Sequence, residues 1–297
     1  MTDGAPSWLD ALRWKLGMGP DEPKSDAPDT PAEVVPWKRA ALPESGWRVS
    51  WLGHAAFLLE GCGRRILIDP VFSDHCAPLP FKSMKRLAPP PCPLAEIGRV
   101  DAVLLTHTHY DHLDLPTLRR IGPEVEFVVP DGHADWLRKK GFPKTREQEW
   151  FSSDELFPGI RVTATPVQHF TARTPFDRGR GICCGWRVEG GGASLWHAGD
   201  SGYGPLFKVI GERLGPVDFG MIPIGAYAPR WFMEPVHMTP EEAAVVFAET
   251  KCRRAVGMHW GTFRLTDEPL GEPPIRLAET GTDGFFTGKV GESWRVD

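Results

Sequence analysis

Leu104-Leu105-Thr106-His107-Thr108-His109-Tyr110-Asp111-His112-Leu113-Asp114 places three imidazoles and a carboxylate within the six positions from His107 to His112, directly behind the apolar run Ala102-Val103-Leu104-Leu105. The run reads as a buried strand, and the cluster as the loop that leaves its end. Imidazole and carboxylate are donors preferred by Zn²⁺ and other borderline divalent ions, and a loop at a strand end can turn close neighbours toward one point. A helix would send His107 and His109 to different faces, so the spacing suits an extended or looping backbone. The stretch therefore predicts a metal site.

Composition sets the frame around it. A chain of 297 residues, 41% of them hydrophobic, can bury a sizeable core and is read as one large α/β domain. A net charge of −5 and a pI near 6.1 give no basic footprint, which disfavours nucleic acid as a partner. Cys62, Cys76, Cys92, Cys183, Cys184 and Cys252 form no Cys-x-x-Cys pair and read as reduced structural thiols. The amino terminus lacks the basic and apolar regions of a secretory signal, and no apolar segment has spanning length. The expected location is cytoplasmic, with peripheral membrane contact left open.

Residues 1–46 read as an arm. Trp8 to Met18 predicts a short amphipathic helix with Trp8, Leu9, Leu12 and Leu16 on one side, which either packs on the domain or lies in a membrane interface. Pro20, Pro23, Pro28, Pro31, Pro36 and Pro43 make the remainder an extended linker. Compact structure is expected over 47–297. Trp47 to Leu52, Ala56 to Glu60 and Arg65 to Asp69 predict three strands, with Gly61 and Gly63 in a turn. Beyond the histidine cluster, Leu115 to Ile121 and His133 to Lys140 predict helices, and Phe127 to Pro130 a strand. Three later strands each end in a candidate ligand: Arg161 to His169 in His169, Ala193 to Asp200 in Asp200, and Arg254 to Gly261 in His259. Thr239-Pro240-Glu241-Glu242 is a helix start with a capping box.

This ligand pattern resembles the metallo-β-lactamase superfamily, in which His-x-His-x-Asp-His is followed by a distant His, an Asp and a His. The resemblance implies a four-layer αβ/βα sandwich with two metal ions at the sheet edge. It places His107, His109 and His169 on one ion, Asp111, His112 and His259 on the other, and Asp200 between them. Two Zn²⁺ are the expected cofactors, other divalent ions being compatible with the donors. Five stretches resemble the N-acylphosphatidylethanolamine-hydrolysing phospholipase D branch of that superfamily: Trp51 to Ala55, His109 to Asp114, Ala198 to Tyr203, Ile222 to Met233 and His259 to Phe263.

Two divalent ions can lower the pKa of water and draw a phosphoryl oxygen toward themselves, so a phosphodiester could be cut without a side-chain nucleophile. Together with that chemistry, the resemblance implies a zinc-dependent phosphodiesterase releasing phosphatidic acid and an N-acylethanolamine. Asp111 and His237 are its catalytic candidates, and Tyr110, Tyr227, Trp231, Phe232 and His237 its substrate contacts. Two alternatives stand beside it: a hydrolase of a sugar-phosphate lactone or other small ester, and a non-catalytic lipid-binding protein with structural metal. Expected partners are a phospholipid or other phosphodiester, a membrane surface and a second copy in a homodimer. Among the remaining histidines, His54 in Gly53-His54-Ala55 is the one expected nearest the site.

Overall fold

A computed structural model describes residues 6–174 and 176–297. Alternation decides the architecture. Trp47, Val49 and Trp51 belong to one core and Leu52 to another, as do Phe57 and Leu59 against Leu58, so these strands are buried on both faces. The strands in chain order are β1 (Trp47–Gly53), β2 (Ala56–Gly61), β3 (Arg64–Ile68), β4 (Ala102–Leu104), β5 (Glu126–Pro130), β6 (Thr145–Gln148), β7 (Ser153–Phe157), β8 (Ile160–Pro166), β9 (Cys184–Gly190), β10 (Ala193–His197), β11 (Val217–Pro223), β12 (Cys252–Met258), β13 (Phe285–Thr287) and β14 (Ser293–Val296). They form two seven-stranded sheets, β14-β1-β2-β3-β4-β5-β6 and β13-β12-β11-β10-β9-β8-β7. Each sheet is antiparallel at one end and parallel at the other: β3 to β6 run parallel in the first, β10 to β13 in the second.

The helices are α1 (Trp8–Lys15), α2 (Leu94–Ile97), α3 (Leu115–Ile121), α4 (Ala134–Lys139), α5 (Leu206–Leu214), α6 (Arg230–Met233), α7 (Pro240–Glu249) and α8 (Glu272–Glu279). Between the sheets, Trp47, Trp51 and Phe57 meet Val162, Trp186 and Phe219. The outer face of the first sheet carries Leu94, Leu118 and Leu137 of α2, α3 and α4. Phe207, Val246 and Leu277 of α5, α7 and α8 cover the second. This is the αβ/βα sandwich. Parallel strands separated by helical crossovers bring their carboxyl ends to one edge, where loops can converge.

The helix expected over Leu115 to Ile121 is α3. At α7 the capping box is complete: Thr239 Oγ1 accepts the Glu242 N–H at 3.2 Å, and Glu242 Oε2 accepts the Thr239 N–H at 2.8 Å.

Residues 20–43 are extended, as their prolines dictate, but they are tied down along their length. Ala32 N–H donates to Gly261 O at 2.9 Å, Val35 N–H to Val290 O at 2.8 Å, and Val290 N–H returns to Glu33 O at 2.8 Å. Trp37 is buried, its Nε1–H donating to Ser50 Oγ at 3.1 Å. Where the sequence reads a linker, the structure shows a strap, because Ala32, Val34 and Trp37 bury apolar surface that a free tether would leave in water. For α1 the described contacts are intramolecular: Trp14 packs on Phe232 at 5.1 Å between centroids and donates Nε1–H to Asp267 Oδ2 at 2.6 Å. The side chain of Trp8 lies outside the described residues. No helix among the described residues is long and apolar enough to cross a membrane.

Candidate metal centre

The loops after β4, β8, β10 and β12 deliver the candidate ligands to one sheet edge. His107 and His109 lie two residues apart and His169 comes from the far sheet, yet His107 Nε2 is 2.9 Å from His109 Nδ1 and His169 Nε2 is 3.1 Å from the same atom. Asp200 sits among the others, its Oδ2 3.1 Å from His112 Nε2 and 3.0 Å from His259 Nε2, with His107 Nε2 at 4.0 Å and His169 Nε2 at 3.9 Å. Asp111 Oδ2 lies 3.5 Å from His112 Nε2 and 3.4 Å from His259 Nε2. Donors on a tetrahedral ion with bonds of about 2.0–2.1 Å are about 3.3 Å apart, so these separations suit shared ions.

Orphaned polar atoms support the fit. His112 Nε2, His259 Nε2 and Asp200 Oδ1 are buried and make no hydrogen bond, although an oxygen lies close to both nitrogens. Buried polar atoms of that kind need a partner, and these are ordinary donors for a divalent ion.

Neighbours fix the ring orientations. Asp69 Oδ2 accepts from His112 Nδ1 at 2.7 Å, and the Thr106 hydroxyl, donated to Asp69, is left to accept from His107 Nδ1 at 2.9 Å. His169 Nδ1 donates to Val236 O at 3.0 Å. Each bond leaves the Nε2 lone pair pointing into the centre. Arg173 donates Nη1–H to Thr108 O at 2.7 Å and Leu113 O at 2.8 Å, clamping the ligand loop at both ends. His54, Asp69 and His259 have φ of 54°, 43° and 64°. Left-handed backbone at such residues costs on the order of 1–3 kcal/mol each and persists where surrounding structure requires it.

Electrostatics sorts the imidazoles. Burial, helped by neighbouring histidines, depresses His109 to about 3 and His169 to about 4, and holds His107 well below its usual range, so all three are neutral donors. Burial also pulls on His112 and His259, but Asp200 and Asp111 outweigh it, lifting His112 well above its usual range and His259 to about 9. A divalent ion must displace those protons. Apparent zinc affinity should therefore climb with pH across the range in which His112 and His259 are protonated, by about tenfold per unit for each proton displaced. Zinc titrations against a competing chelator across a pH series read this, and a flat profile contradicts it.

The expected substrate residues separate into two groups. His237 is at the centre, its ring 5.1 Å from that of His169 and 5.2 Å from that of His259, with Nδ1 buried and unpartnered. Tyr110 adjoins it, holding the clamp: its ring lies under the Arg173 guanidinium at 3.9 Å and its hydroxyl donates to Arg173 O at 3.2 Å. Tyr227, by contrast, is buried with its hydroxyl donating to Glu272 Oε1 at 2.7 Å. Trp231 and Phe232 form the seat of α1: Phe232 meets Trp14, and Trp231 lies under Arg13 at 5.8 Å. Sequence reasoning missed Asp69, Thr106 and Arg173. An acid closing the apolar run Ile66-Leu67-Ile68 was the one available signal, and nothing in the sequence marked Arg173.

A model of the beta-lactamase superfamily domain matches residues 64–260, and the chain belongs to that superfamily. It is a metal-dependent hydrolase. It is 35% identical to N-acyl-phosphatidylethanolamine-hydrolyzing phospholipase D 1 of Caenorhabditis elegans, over 85% of this chain and 77% of the worm protein. It is 32% identical to a UPF0173 metal-dependent hydrolase of Caldivirga maquilingensis, over 72% of this chain and 82% of that protein. The chain spans 62% of the length of a Mycobacterium tuberculosis relative that is 40% identical to it. In fold it is similar to isothiocyanate hydrolase from Delia radicum gut bacteria, with a TM-score of 0.71 at 21% identity over 84% of this chain and 99% of that one.

Proposed function

We propose that the chain is a two-zinc phosphodiesterase of phospholipase D type, converting N-acylphosphatidylethanolamine-like lipids to phosphatidic acid and an N-acylethanolamine. The observation that carries the chemistry is the convergence of two donor sets on Asp200, with no serine or cysteine hydrogen-bonded to their side chains among the described residues. Likeness to the worm phospholipase D supports the substrate class. His107 Nε2, His109 Nδ1 and His169 Nε2 would hold one ion, Asp111 Oδ2, His112 Nε2 and His259 Nε2 the other, and Asp200 both. Ions bound there supply water activation near neutral pH and offset charge on phosphoryl oxygens.

The chain's own groups do the rest. Water oxygen bonds to phosphorus, the bond from phosphorus to the ethanolamine oxygen breaks, and a proton passes to that oxygen. Asp111 is held well below the usual carboxylate range: burial opposes its ionisation, but His112, His259 and His54 outweigh burial. With a bound ion in place of the His112 and His259 protons, Asp111 stays ionised and accepts a hydrogen bond from the attacking water without itself becoming protonated. Burial keeps His237 well below its usual range and so neutral, which makes it a hydrogen-bond donor to the phosphate and not an imidazolium acid. His237→Ala should lower kcat by about a hundredfold with metal content unchanged, the scale of one lost donor to developing charge. Unchanged kinetics would return His237 to a structural role.

Substrate pickup from a bilayer is the second part of the proposal. Leu9, Leu12 and Leu16 recur along one side of α1 and stay exposed at 52%, 48% and 63%, with Met18 at 62%. The other side of α1, through Trp14, rests on the Trp231-Phe232 seat. Burying such side chains in lipid is worth about 1–2 kcal/mol each. Leu12→Asp with Leu16→Asp should weaken vesicle binding and vesicle hydrolysis by about tenfold or more, leaving a short-chain soluble analogue cleaved normally. Parallel loss on both substrates would argue against lipid contact through α1. Assay of N-acyl phospholipids beside lactones, with product identification, tests the substrate class.

A further inference from the structure

We propose that His54 is a positioning residue for the second ion, acting through Asp111 and His259 and leaving the first ion untouched. The inference rests on the two-ion reading above and goes beyond its ligand set.

His54 occupies the turn between β1 and β2, in a different part of the chain from every ligand. It is buried, and its Nε2 lies 2.8 Å from Asp111 Oδ2, the oxygen that faces His112 and His259. Its backbone reaches the other partner: His54 O accepts the His259 N–H at 3.1 Å, and its ring centroid is 3.9 Å from that of His259. The turn is itself held from three sides. His54 N–H donates to Thr262 Oγ1 at 2.8 Å, His54 O also accepts Trp51 Nε1–H at 2.8 Å, and Phe263 meets the ring edge-on at 5.3 Å.

Three physical consequences follow. Donation from Nε2–H fixes the rotamer of the Asp111 carboxylate while leaving that oxygen a further lone pair for an ion. The carbonyl bond ties the backbone of His259 to the same turn, so one residue sets the separation of two ligands that come from opposite sheets. Finally, the left-handed φ of 54° is held by the contacts on three sides of the turn, and with it the imidazole is held against Asp111. His107, His109 and His169 make no hydrogen bond to His54. Selectivity for one ion is therefore the distinguishing expectation.

Stepwise zinc titration against a competing chelator tests it on the wild-type chain, His54→Ala and His54→Gln, with cobalt absorption spectra as a second readout and metal-free melting curves as the control for folding. The wild type should bind two ions. His54→Ala should keep the first at wild-type affinity and bind the second about 10–100-fold more weakly, the usual cost of losing such an outer partner. The change in the cobalt spectrum should be confined to the second equivalent. Gln carries an N–H donor close to the place of Nε2, so His54→Gln should recover most of the second affinity. Should the Ala variant fail to fold, the Gln variant alone decides, through its second-ion affinity and cobalt spectrum. Wild-type affinities in His54→Ala, parallel weakening of both ions, or second-ion binding in His54→Gln no better than in His54→Ala would overturn the assignment. A wild type that binds a single ion overturns the two-ion reading and this inference with it, whereas two ions in every variant at equal affinity overturns the inference alone.

Discussion

Asp200→Asn is expected to strip the protein of metal and cut hydrolysis by about a thousandfold or more while leaving the sandwich folded. Asp200 Oδ2 lies within 4.0 Å of four imidazole nitrogens, those of His107, His112, His169 and His259. Among the described residues it is the one carboxylate shared by both donor sets. Burial opposes its ionisation, yet His112 and His259 hold it well below the usual carboxylate range, so the centre contains a fixed negative charge. Asparagine keeps the volume and removes that charge. Its amide would also present N–H groups where donors to an ion are required. His107→Ala should behave alike through the first donor set. Metal analysis with kinetics and far-ultraviolet circular dichroism checks the pair. Two ions per chain and activity within tenfold of wild type in Asp200→Asn would remove the bridging role.

Deletion of residues 1–46 should cost most of the stability of the remaining chain and abolish turnover of soluble and vesicle substrates alike. Trp37 is 3% exposed, and losing a buried aromatic of that size costs roughly 3–5 kcal/mol, against a total of about 5–15 kcal/mol for a domain. The strap also reaches the metal loops. Ala32 N–H bonds to Gly261 O, two residues beyond His259, and Gly261 has a φ of 65° at a point where a side chain would collide with Ala32. Glu22 accepts the backbone N–H groups of Arg230 at 2.9 Å and Trp231 at 3.2 Å. A shorter deletion, residues 1–18, removes α1 and keeps the strap, so it should spare the soluble substrate and lower vesicle turnover. Melting curves and parallel assays distinguish the two truncations. A stable, active 47–297 fragment would show the strap to be dispensable.

What the sequence made legible followed from strong local signals. A dense run of histidines behind an apolar strand, candidate ligands at three later strand ends, and the Thr239 capping box each need only near neighbours to be read. The fold class followed once those ligands suggested a superfamily. Strands β6 and β7 were missed because Thr145-Arg146-Glu147-Gln148 and Ser153-Asp154-Glu155-Leu156-Phe157 are polar edge segments with weak apolar alternation. The strap was read as a linker because proline count outweighed the short apolar knot Val34-Val35-Pro36-Trp37. Trp231 and Phe232 were read as substrate contacts because their partners, Arg13 and Trp14, lie more than two hundred residues away in the chain. Asp69 and Arg173 act only through residues that folding brings to them.

Water attack on phosphorus in an N-acylphosphatidylethanolamine is the step proposed for this centre. Hydrolysis of that lipid in ¹⁸O-labelled water by the zinc-loaded protein, with mass analysis of both products, tests it most directly. One labelled oxygen in the phosphate of phosphatidic acid, beside unlabelled N-acylethanolamine, is the expected result. Label appearing in the N-acylethanolamine or in a released fatty acid, or an intact lipid under conditions where lactones are opened, would contradict it.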